Sequence, residues 1–406
     1  MDLIKRIFKR SGVDRAVYLF VLVLVVFGII MIGSASIGLS AKYGATYAMK
    51  AMVKQGIFVC VGGALMVFFA RCFKTKYINE TSVWCIYLFF LVLMFSCLLF
   101  DANKGSYSWI HLPGGFTIQP MEFMKVAIIL FLAYMFGELP EQCIIPKAIS
   151  KQLKEKLSNR KMLLCFFMPV GIIIFTFVVN GVVQSDLGSA LIFAIICLSI
   201  FFCTPVRYYS KMKIFGIICI IAVLVLVILG MNFIFEPYQL RRFAIWMDPT
   251  STENYYNGSF QLANGLVAFS KGGLFGAGFG ASTQKFGYIP EAGNDFISAI
   301  IVEELGVIGF LALVIIPYCV IIFKFFSYGE KIKETKSKLV LYGISAYFFA
   351  HLLINVGGVS GFIPMTGVPL LMISSGGSST WASMISIGIA QSIIAKFNRE
   401  QIKEQL

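Results

Sequence analysis

Charged residues are scarce in this chain. Only 13% of its 406 residues are Asp, Glu, Lys or Arg, whereas 58% are hydrophobic. Because soluble domains carry about 25% charged residues, this composition excludes a soluble globular enzyme. It predicts an all-α polytopic membrane protein.

Residues that bind metals or form disulfides are few or unfavourably placed. The chain has two histidines, His111 and His351, and its ten cysteines include no Cys-x-x-Cys pair, which argues against a zinc site. All ten cysteines fall in predicted helices or predicted cytoplasmic loops. We therefore expect no disulfide framework.

Apolar runs long enough to cross a bilayer, about 17–25 residues, recur along the whole chain. They predict ten transmembrane helices in a single membrane domain, residues 1–406. The first run is too long, and too poor in small residues at a cleavage position, for a cleaved signal peptide. The ten runs are 17–39, 52–70, 83–100, 119–136, 162–180, 187–204, 214–235, 296–323, 339–356 and 380–395.

Basic residues set the orientation, since cytoplasmic loops carry an excess of Lys and Arg. With both termini inside, most of the 34 Lys and Arg residues lie on the cytoplasmic side. The net charge of +14 is then mainly a topology signal that suits anionic lipid headgroups, and it calls for no nucleic-acid partner. The cytoplasmic segments are 1–16, 71–82, 138–161, 205–213, 324–338 and 396–406.

Two predicted outside loops are long: 101–118, and 236–295 between helices seven and eight. Long ordered loops are usually functional. A third outside segment, 357–379, is rich in Gly, Pro and Ser, and we expect it to cover or line a site that faces outward. No internal repeat is visible, which argues against an inverted-repeat transporter.

Polar residues interrupt several predicted helices. Glu122 and Lys125 are three apart in helix four, so they share a face and can pair; they either form an internal pair or contact a polar substrate group. Asp186 opens helix six, either as its N-cap or as a substrate contact. Lys54, near the outer end of helix two, either extends to the membrane surface or binds substrate.

The large outside loop carries basic residues that suit a diphosphate. Arg241, Arg242 and Lys285 are the candidates, and anchoring to lipid headgroups is the alternative. The glycine run 272–280 neither follows a strand nor opens a phosphate-binding helix. It is better interpreted as a tight turn.

Four acidic residues mark the junction between this loop and helix eight. Glu291 and Asp295 lie at the end of the loop, and Glu303 and Glu304 lie about two turns into the helix. Asp295 is positioned where a base meets a lipid-linked substrate, or where a side chain caps the helix. Glu303 and Glu304 point to different faces, and we interpret them as hydrogen-bonded structural residues.

With these segments identified, the chain resembles the SEDS family, which comprises the FtsW, RodA and SpoVE proteins of bacterial division, elongation and sporulation. The resemblance covers essentially the whole length. The motifs that carry it are KGSYSWI (104–110), QPMEFMK (119–125), QSDLG (184–188), GGLFGAGFGASTQKFGYIPEAGNDF (272–296), EELGVIG (303–309) and NVGGVSGFIPMTGVPLLMISSGGSS (355–379).

The resemblance implies a peptidoglycan glycosyltransferase that polymerises lipid II on the outer face of the cytoplasmic membrane. It implies a class B penicillin-binding protein and other divisome proteins as partners, and Asp295 as the catalytic aspartate. A divalent cation, Mg²⁺ or Mn²⁺, is a further candidate for neutralising the leaving group. The remaining candidate substrate-binding residues are Glu122, Lys125, Asp186, Trp109, Lys54, Arg241, Arg242, Lys285 and Glu291.

Three motifs depart from the family pattern. The usual QPSE reads QPME at 119–122, the residues before Asp295 are Gly293 and Asn294 instead of His-Thr, and the C-terminal proline pair is partly lost in PLLMISS. The C-terminal segments are most similar to FtsW of Gram-positive bacteria, which implies a role in division.

Two other classes of function stay open from the residues alone. A lipid II flippase would use Glu122, Lys125 and Asp186 as a polar path, and Asp295 would then be dispensable for polymerisation. A non-enzymatic scaffold would need only an exposed helix face to recruit a penicillin-binding protein.

Overall fold

The computed structural model describes residues 12–102, 105–112, 116–143, 151–218, 245–251, 255 and 259–404, and most of them are helical. Short helices of four residues lie at Ser40–Tyr43 and Leu139–Gln142. The numbered helices are α1 Arg15–Ile37, α2 Tyr47–Cys72, α3 Glu80–Ser96, α4 Pro120–Gly137, α5 Leu157–Val183, α6 Leu187–Cys203, α7 Arg207–Ile218, α8 Phe260–Gly272, α9 Ile297–Lys331, α10 Thr335–Val359 and α11 Gly377–Glu404.

Seven of the described helices are long and apolar enough to cross a membrane, namely α1 to α5, α9 and α10, and an eighth span results if α6 and α7 count together. That pair is bent by 109°. The predicted span 214–235 is described only as far as Ile218, and α11 is long but carries many polar residues. The chain is therefore a multi-pass helical protein, and the count of ten stays a prediction.

Side-chain caps start several of these helices. Asp14 accepts hydrogen bonds from two amides at the start of α1, and Asn79 does so from one amide of α3. Asp186 caps α6 through the amide of Ser189. Such caps satisfy amides that lack intrahelical partners, so these three starts follow from local sequence.

The centre of the bundle is formed by α4 and α10. Buried residues make up 94% of the apolar window of α4 and 78% of that of α10, against 17% for the peripheral α2. Helix α4 packs against α3, α6 and α10, whereas α11 packs along α2. The polar residues of α4 and α10 consequently lie inside the protein.

Both of the long loops predicted to lie outside contain regular structure that the apolar pattern does not predict. Strands β1 (Ile110–Leu112) and β2 (Phe116–Ile118) form an antiparallel hairpin in which Ile110 pairs with Ile118. Helix α8 packs against α9. With 13 residues, α8 is too short to cross a membrane and has no long apolar run.

Helix α9 is broken at Gly306, whose φ of 70° and ψ of 176° are not helical. The break frees backbone groups that pair with the loop after α8. Ala277 N–H donates to the Glu303 carbonyl at 2.9 Å, and Gly278 N–H donates to that of Glu304 at 3.0 Å. In return, Val307 N–H donates to the carbonyl of Gly273. The predicted tight turn at 272–280 is thus a loop that pairs with a broken helix.

Candidate active site

Asp295 lies at the junction that the sequence predicts, immediately before α9. The helix begins at Ile297, and Phe296 occupies its N-cap position, so Asp295 lies one residue before that position. Its side chain is half-buried. A Cβ at Gly367 would lie 3.7 Å from Asp295 Oδ2. This places the carboxylate against the C-terminal loop, residues 360–376, which joins α10 to α11.

Asn355 of α10 braces this junction. Its Nδ2 donates to the carbonyl of Asp295 at 2.8 Å and to that of Val368 at 2.7 Å. Ser298 Oγ donates to its Oδ1 at 3.1 Å. One buried amide therefore ties the start of α9 to the C-terminal loop, and leaves the Asp295 carboxylate out of that brace.

A second brace joins the residues just before Asp295 to the same loop. Ser374 Oγ donates to the Asn294 carbonyl at 2.6 Å, and Ser375 N–H donates to the Gly293 carbonyl at 2.9 Å. The Gly-, Pro- and Ser-rich segment thus packs on the junction, as expected for a segment that covers or lines a site.

The predicted pair on α4 is present and buried. Lys125 Nζ lies 2.7 Å from Glu122 Oε1, with both side chains almost fully buried. His351 of α10 lies beside the pair, its Nε2 3.3 Å from Lys125 Nζ, and its Nδ1 lies 3.2 Å from the Pro369 carbonyl. If Pro369 accepts from Nδ1–H, Nε2 is the atom that accepts from the lysine. The pair is therefore linked through His351 to the loop that faces Asp295.

Asp186 occupies the N-cap position that one of its two interpretations predicts. Its Oδ1 accepts from Ser189 N–H at 3.0 Å, and its Oδ2 accepts from Gln119 Nε2 at 2.7 Å. Gln119 N–H in turn donates to Ser378 Oγ at 3.0 Å. These bonds gather the starts of α4, α6 and α11 at the same end of the bundle as the C-terminal loop.

Lys54 and Trp109 lie at this end as well. Lys54 is exposed, with its Nζ 5.6 Å from the ring centre of Phe116 in β2 and 5.9 Å from that of Phe58. The next residue, Gln55, accepts from Gly376 N–H at 3.3 Å. Trp109 is half-buried just before β1. Lys54 is therefore an exposed cation beside the loop that contacts Asp295.

Glu303 and Glu304 hold the glycine-rich loop, as their predicted structural role requires. Glu303 accepts from the hydroxyl of Ser282 at 2.5 Å and from the amides of Thr283 and Gln284. Glu304 forms an ion pair of 2.8 Å with Lys285, and both side chains are fully buried. Two acidic residues within a span thus find hydrogen bonds and a counter-ion, as burial demands.

Lys285, a candidate for binding a diphosphate, lies inside the protein. Its Nζ is buried and bonded to Glu304, Ser34 and the Gly280 carbonyl. Glu291, by contrast, stays half-buried and accepts from the side-chain amide of Asn294. The pair Arg241 and Arg242 lies outside the described residues.

Metal ligands do not gather in the described part of the chain. No three His, Cys, Asp or Glu side chains there lie together so as to hold an ion. A Mg²⁺ or Mn²⁺ ion beside Asp295 would therefore take most of its ligands from water and from a substrate diphosphate, as Mg²⁺ commonly does.

Comparison with known proteins identifies the family. A sequence model of the FtsW, RodA and SpoVE proteins, described as "Cell cycle protein", matches residues 14–399. The chain belongs to the FtsW/RodA/SpoVE family.

Relatives of known name match over nearly the full length. The probable peptidoglycan glycosyltransferase FtsW of Lactococcus lactis is 30% identical, with 98% of this chain and 96% of that protein covered. The protein of the same name from Bacillus subtilis is 31% identical, with 97% and 93% covered. Similarity to these two FtsW proteins agrees with the resemblance of the C-terminal segments to FtsW of Gram-positive bacteria.

The fold is also that of solved structures. A chain from a peptidoglycan synthase complex, studied for the coordination of polymerization and crosslinking, matches with a TM-score of 0.67 at 20% identity. The match covers 95% of this chain and 98% of that one. Residues from different family motifs also contact one another in this fold. Gln119 of QPMEFMK is hydrogen-bonded to Asp186 of QSDLG, and Asn355, the first residue of the C-terminal motif, donates to the carbonyl of Asp295.

Sequence reasoning about this FtsW/RodA/SpoVE protein missed His351 and Asn355 as members of the site. A usable signal exists, because the two residues are four apart in an otherwise apolar helix and so share one face. Polar side chains within a span are expensive and tend to mark function. The departures at Met121, Gly293 and Asn294 leave these contacts intact, since Met121 is simply buried and the two loop residues bind through backbone carbonyls.

Proposed function

We propose that this chain is a peptidoglycan glycosyltransferase that polymerises lipid II at the outer face of the bacterial plasma membrane, for septal wall synthesis in division. Membership of the FtsW/RodA/SpoVE family and the names of the two FtsW relatives support the reaction class. The observation that carries the assignment is Asp295, a half-buried carboxylate held where the C-terminal loop meets α9.

Asp295 acts as the general base. Strand growth requires the 4-hydroxyl of one N-acetylglucosamine to attack the anomeric carbon of a second lipid II. The hydroxyl proton passes to the Asp295 carboxylate, the new glycosidic C–O bond forms, and the bond to the polyprenyl diphosphate breaks. A base placed by two braces keeps its position while the hydroxyl approaches, and positioned bases contribute about 10²–10⁴-fold to rate.

The leaving diphosphate needs positive charge. Lys54 supplies it from the described residues, because its ammonium is exposed at the same end of the bundle. Arg241 and Arg242 are assigned the same role on sequence grounds, since arginine binds phosphate oxygens through two parallel hydrogen bonds. Lys285 is assigned to holding the loop instead, because its charge is paired with Glu304.

Glu122, Lys125 and Asp186 support the site in this proposal. The first two are paired in the centre of the bundle, and Asp186 is engaged at a helix start. A flippase would need these groups along an open polar path. The Glu122–Lys125 pair is instead buried, and Asp186 is half-buried and bonded to Gln119 and Ser189, which does not favour a flippase. We assign the class B penicillin-binding protein as the crosslinking partner, in keeping with the synthase complex that shares this fold.

The test is lipid II polymerisation by the purified chain with its penicillin-binding protein, whose own crosslinking activity is blocked. Wild type should yield glycan strands, and Asp295→Asn should lower the rate by about 10²–10⁴-fold because its amide cannot accept the proton. Asp101→Asn is the matched control, since Asp101 is an exposed loop carboxylate with no role in the site.

The possible outcomes separate the three classes of function. Equal product from Asp295→Asn and wild type would refute the base. An inactive wild type within an intact complex would transfer the assignment to a flippase or a scaffold. Equal loss in Asp101→Asn would show that the effect of Asp295→Asn is one of charge or folding rather than of a base.

A further inference from the structure

Exposed apolar side chains cluster on the glycine-rich loop after α8. Leu274, Phe275 and Phe279 are 60%, 81% and 61% exposed. The residues between them are glycine and alanine, and the loop belongs to no membrane-spanning helix. Soluble surfaces rarely show large aromatic side chains so fully to water. The level of these residues relative to the bilayer decides what covers them.

The position of the loop along the bilayer normal can be measured along helix α9. Lys324 is the first charged residue after Glu304, and it forms an ion pair with Asp14, the cap of α1. Two independent elements therefore mark the same edge of the apolar region. Because a helix rises about 1.5 Å per residue and the hydrocarbon core is about 30 Å thick, the opposite edge falls near Glu304.

The loop is attached to α9 at this opposite edge. Ile308 N–H donates to the Leu274 carbonyl at 3.1 Å, and Gly278 N–H donates to the Glu304 carbonyl at 3.0 Å. Leu274 therefore lies about 24 Å from the level of Lys324 and Gly278 about 30 Å from it. The segment from Leu274 to Gly278 spans the last ~6 Å of the hydrocarbon core.

Two neighbouring features agree with this level. The exposed face of α9 beside the loop is apolar, with Ile308 and Leu311 each about half exposed, so the aromatic side chains continue a lipid-facing surface. Lys271, the last basic residue of α8, is exposed. Its ammonium donates to the Thr283 hydroxyl at 2.8 Å and has two further protons for headgroup oxygens. Two of the loop amides, those of Ala277 and Gly278, donate to the freed carbonyls of Glu303 and Glu304, which lowers the cost of placing them at the edge of the hydrocarbon.

We propose that the loop Gly273–Gly280 is a membrane anchor whose Leu274, Phe275 and Phe279 insert between lipid acyl chains of the leaflet on the Asp295 side. The anchor sets the height of the site. Asp295 lies nine residues before Glu304, just before the start of α9, so it stands roughly 13 Å beyond the hydrocarbon edge. A carboxylate at that height reaches the first sugars of a saccharide whose diphosphate lies among the headgroups, which is the substrate class of the proposed function.

The experiment measures water access to the loop with the chain alone in phospholipid nanodiscs. Phe275→Cys and Asn294→Cys are reacted with a membrane-impermeant maleimide, and the labelling of each new thiol is followed by peptide mass spectrometry, so that native cysteines do not interfere. Rates are normalised to those of the same variants unfolded in detergent. Asn294 is the matched position, since it is exposed next to Asp295 on the same loop.

Cys at 275 should react at least about tenfold more slowly than Cys at 294, because a thiol in hydrocarbon keeps its proton and maleimide needs the thiolate. Equal rates in nanodiscs would overturn the anchor. Protection at 275 that arises only after the penicillin-binding protein is added would also overturn it, and would identify a protein as the occupant. The labelling needs no enzymatic activity, so its result tests the membrane anchor independently of the proposed reaction.

Discussion

At the scale of single residues, the buried charges of this protein are all held by specific partners among the residues discussed. The Glu122–Lys125 pair follows from a spacing of three in one helix, whereas Lys285 and Glu304 come from different segments of the chain. Breaking a buried pair leaves an uncompensated charge, which is costlier than replacing the whole pair by neutral groups. This difference makes the role of Lys285 measurable.

Lys285→Met should lower the free energy of unfolding by about 3–5 kcal/mol, because Glu304 then keeps a buried charge without its counter-ion. The double variant Lys285→Met/Glu304→Gln should recover most of that loss, since Gln still binds Ser34. Thermal unfolding of both variants in detergent checks this. If the double variant is no more stable than Lys285→Met, the pair is not the source of the loss.

At the scale of elements, the break in α9 and the loop after α8 form one unit. The glycines of the run allow close approach of two backbones: a Cβ at Gly276 would lie 2.3 Å from the Glu304 carbonyl oxygen, and one at Gly272 would lie 2.0 Å from that of Val302. Side chains at these positions would separate the loop from the helix. The carbonyls of Glu303 and Glu304 would then lose their partners at the membrane edge.

Gly276→Ala and Gly280→Ala separate this close approach from backbone strain. Both glycines have positive φ, 81° and 79°, but a Cβ at Gly280 would meet nothing within 4 Å. Gly280→Ala should therefore lower the free energy of unfolding by about 1–2 kcal/mol, because alanine disfavours the left-handed backbone conformation. Gly276→Ala should lower it by a further ~1–3 kcal/mol, because its Cβ also clashes with the helix. Equal melting temperatures for the two variants would contradict the paired-loop arrangement.

At the scale of the whole molecule, the first and last described helices are joined at the end opposite Asp295. Gln391 of α11 donates to the Asp14 carbonyl and accepts from the Asp14 amide, both at 2.9 Å. Lys396 of the same helix forms an ion pair of 3.0 Å with Glu334, between α9 and α10. These contacts hold the peripheral helices around α4 and α10 at this end of the bundle. The loops at the other end are therefore attached to helices that are fixed relative to one another.

The Glu334–Lys396 contact predicts a pH-dependent stability. Burial raises the pKa of Glu334, but hydrogen bonds from Lys396 and Ser337 and the nearby lysine charges outweigh it, so the pKa is lowered from 4.5. A lowered folded pKa stabilises the protein above the unfolded value, and this stabilisation is lost as the pH falls through the folded pKa. Lys396→Met should thus melt below wild type at pH 7, and the gap should shrink below pH 4.5.

Lys403→Met serves as the control for this measurement, since Lys403 is exposed near the end of the same helix. Melting temperatures of the three proteins from pH 7 to pH 3.5 settle the question. A gap between Lys396→Met and wild type that stays constant over this range would show that the titration of Glu334 does not contribute.

Much of the fold follows from the sequence because its signals are local. An apolar run of sufficient length crosses a membrane whatever its neighbours are, Asp14 and Asp186 cap their own helices, and Glu122 meets Lys125 across one helical turn. Asp295 lies at its predicted junction for the same reason, since the change from polar loop to apolar helix is visible at that point. Its role as the base stays a prediction.

What only the tertiary structure decided depends on segments far apart in the chain. The burial of Lys285, the brace of Asn355 on Asp295 and the link from Lys125 through His351 to the C-terminal loop each join residues of different elements. The break at Gly306 is stable because a loop some thirty residues earlier supplies its hydrogen-bond partners. No local propensity encodes such pairings, because the free energy that favours them exists only once the helices have packed and the backbone groups have left water.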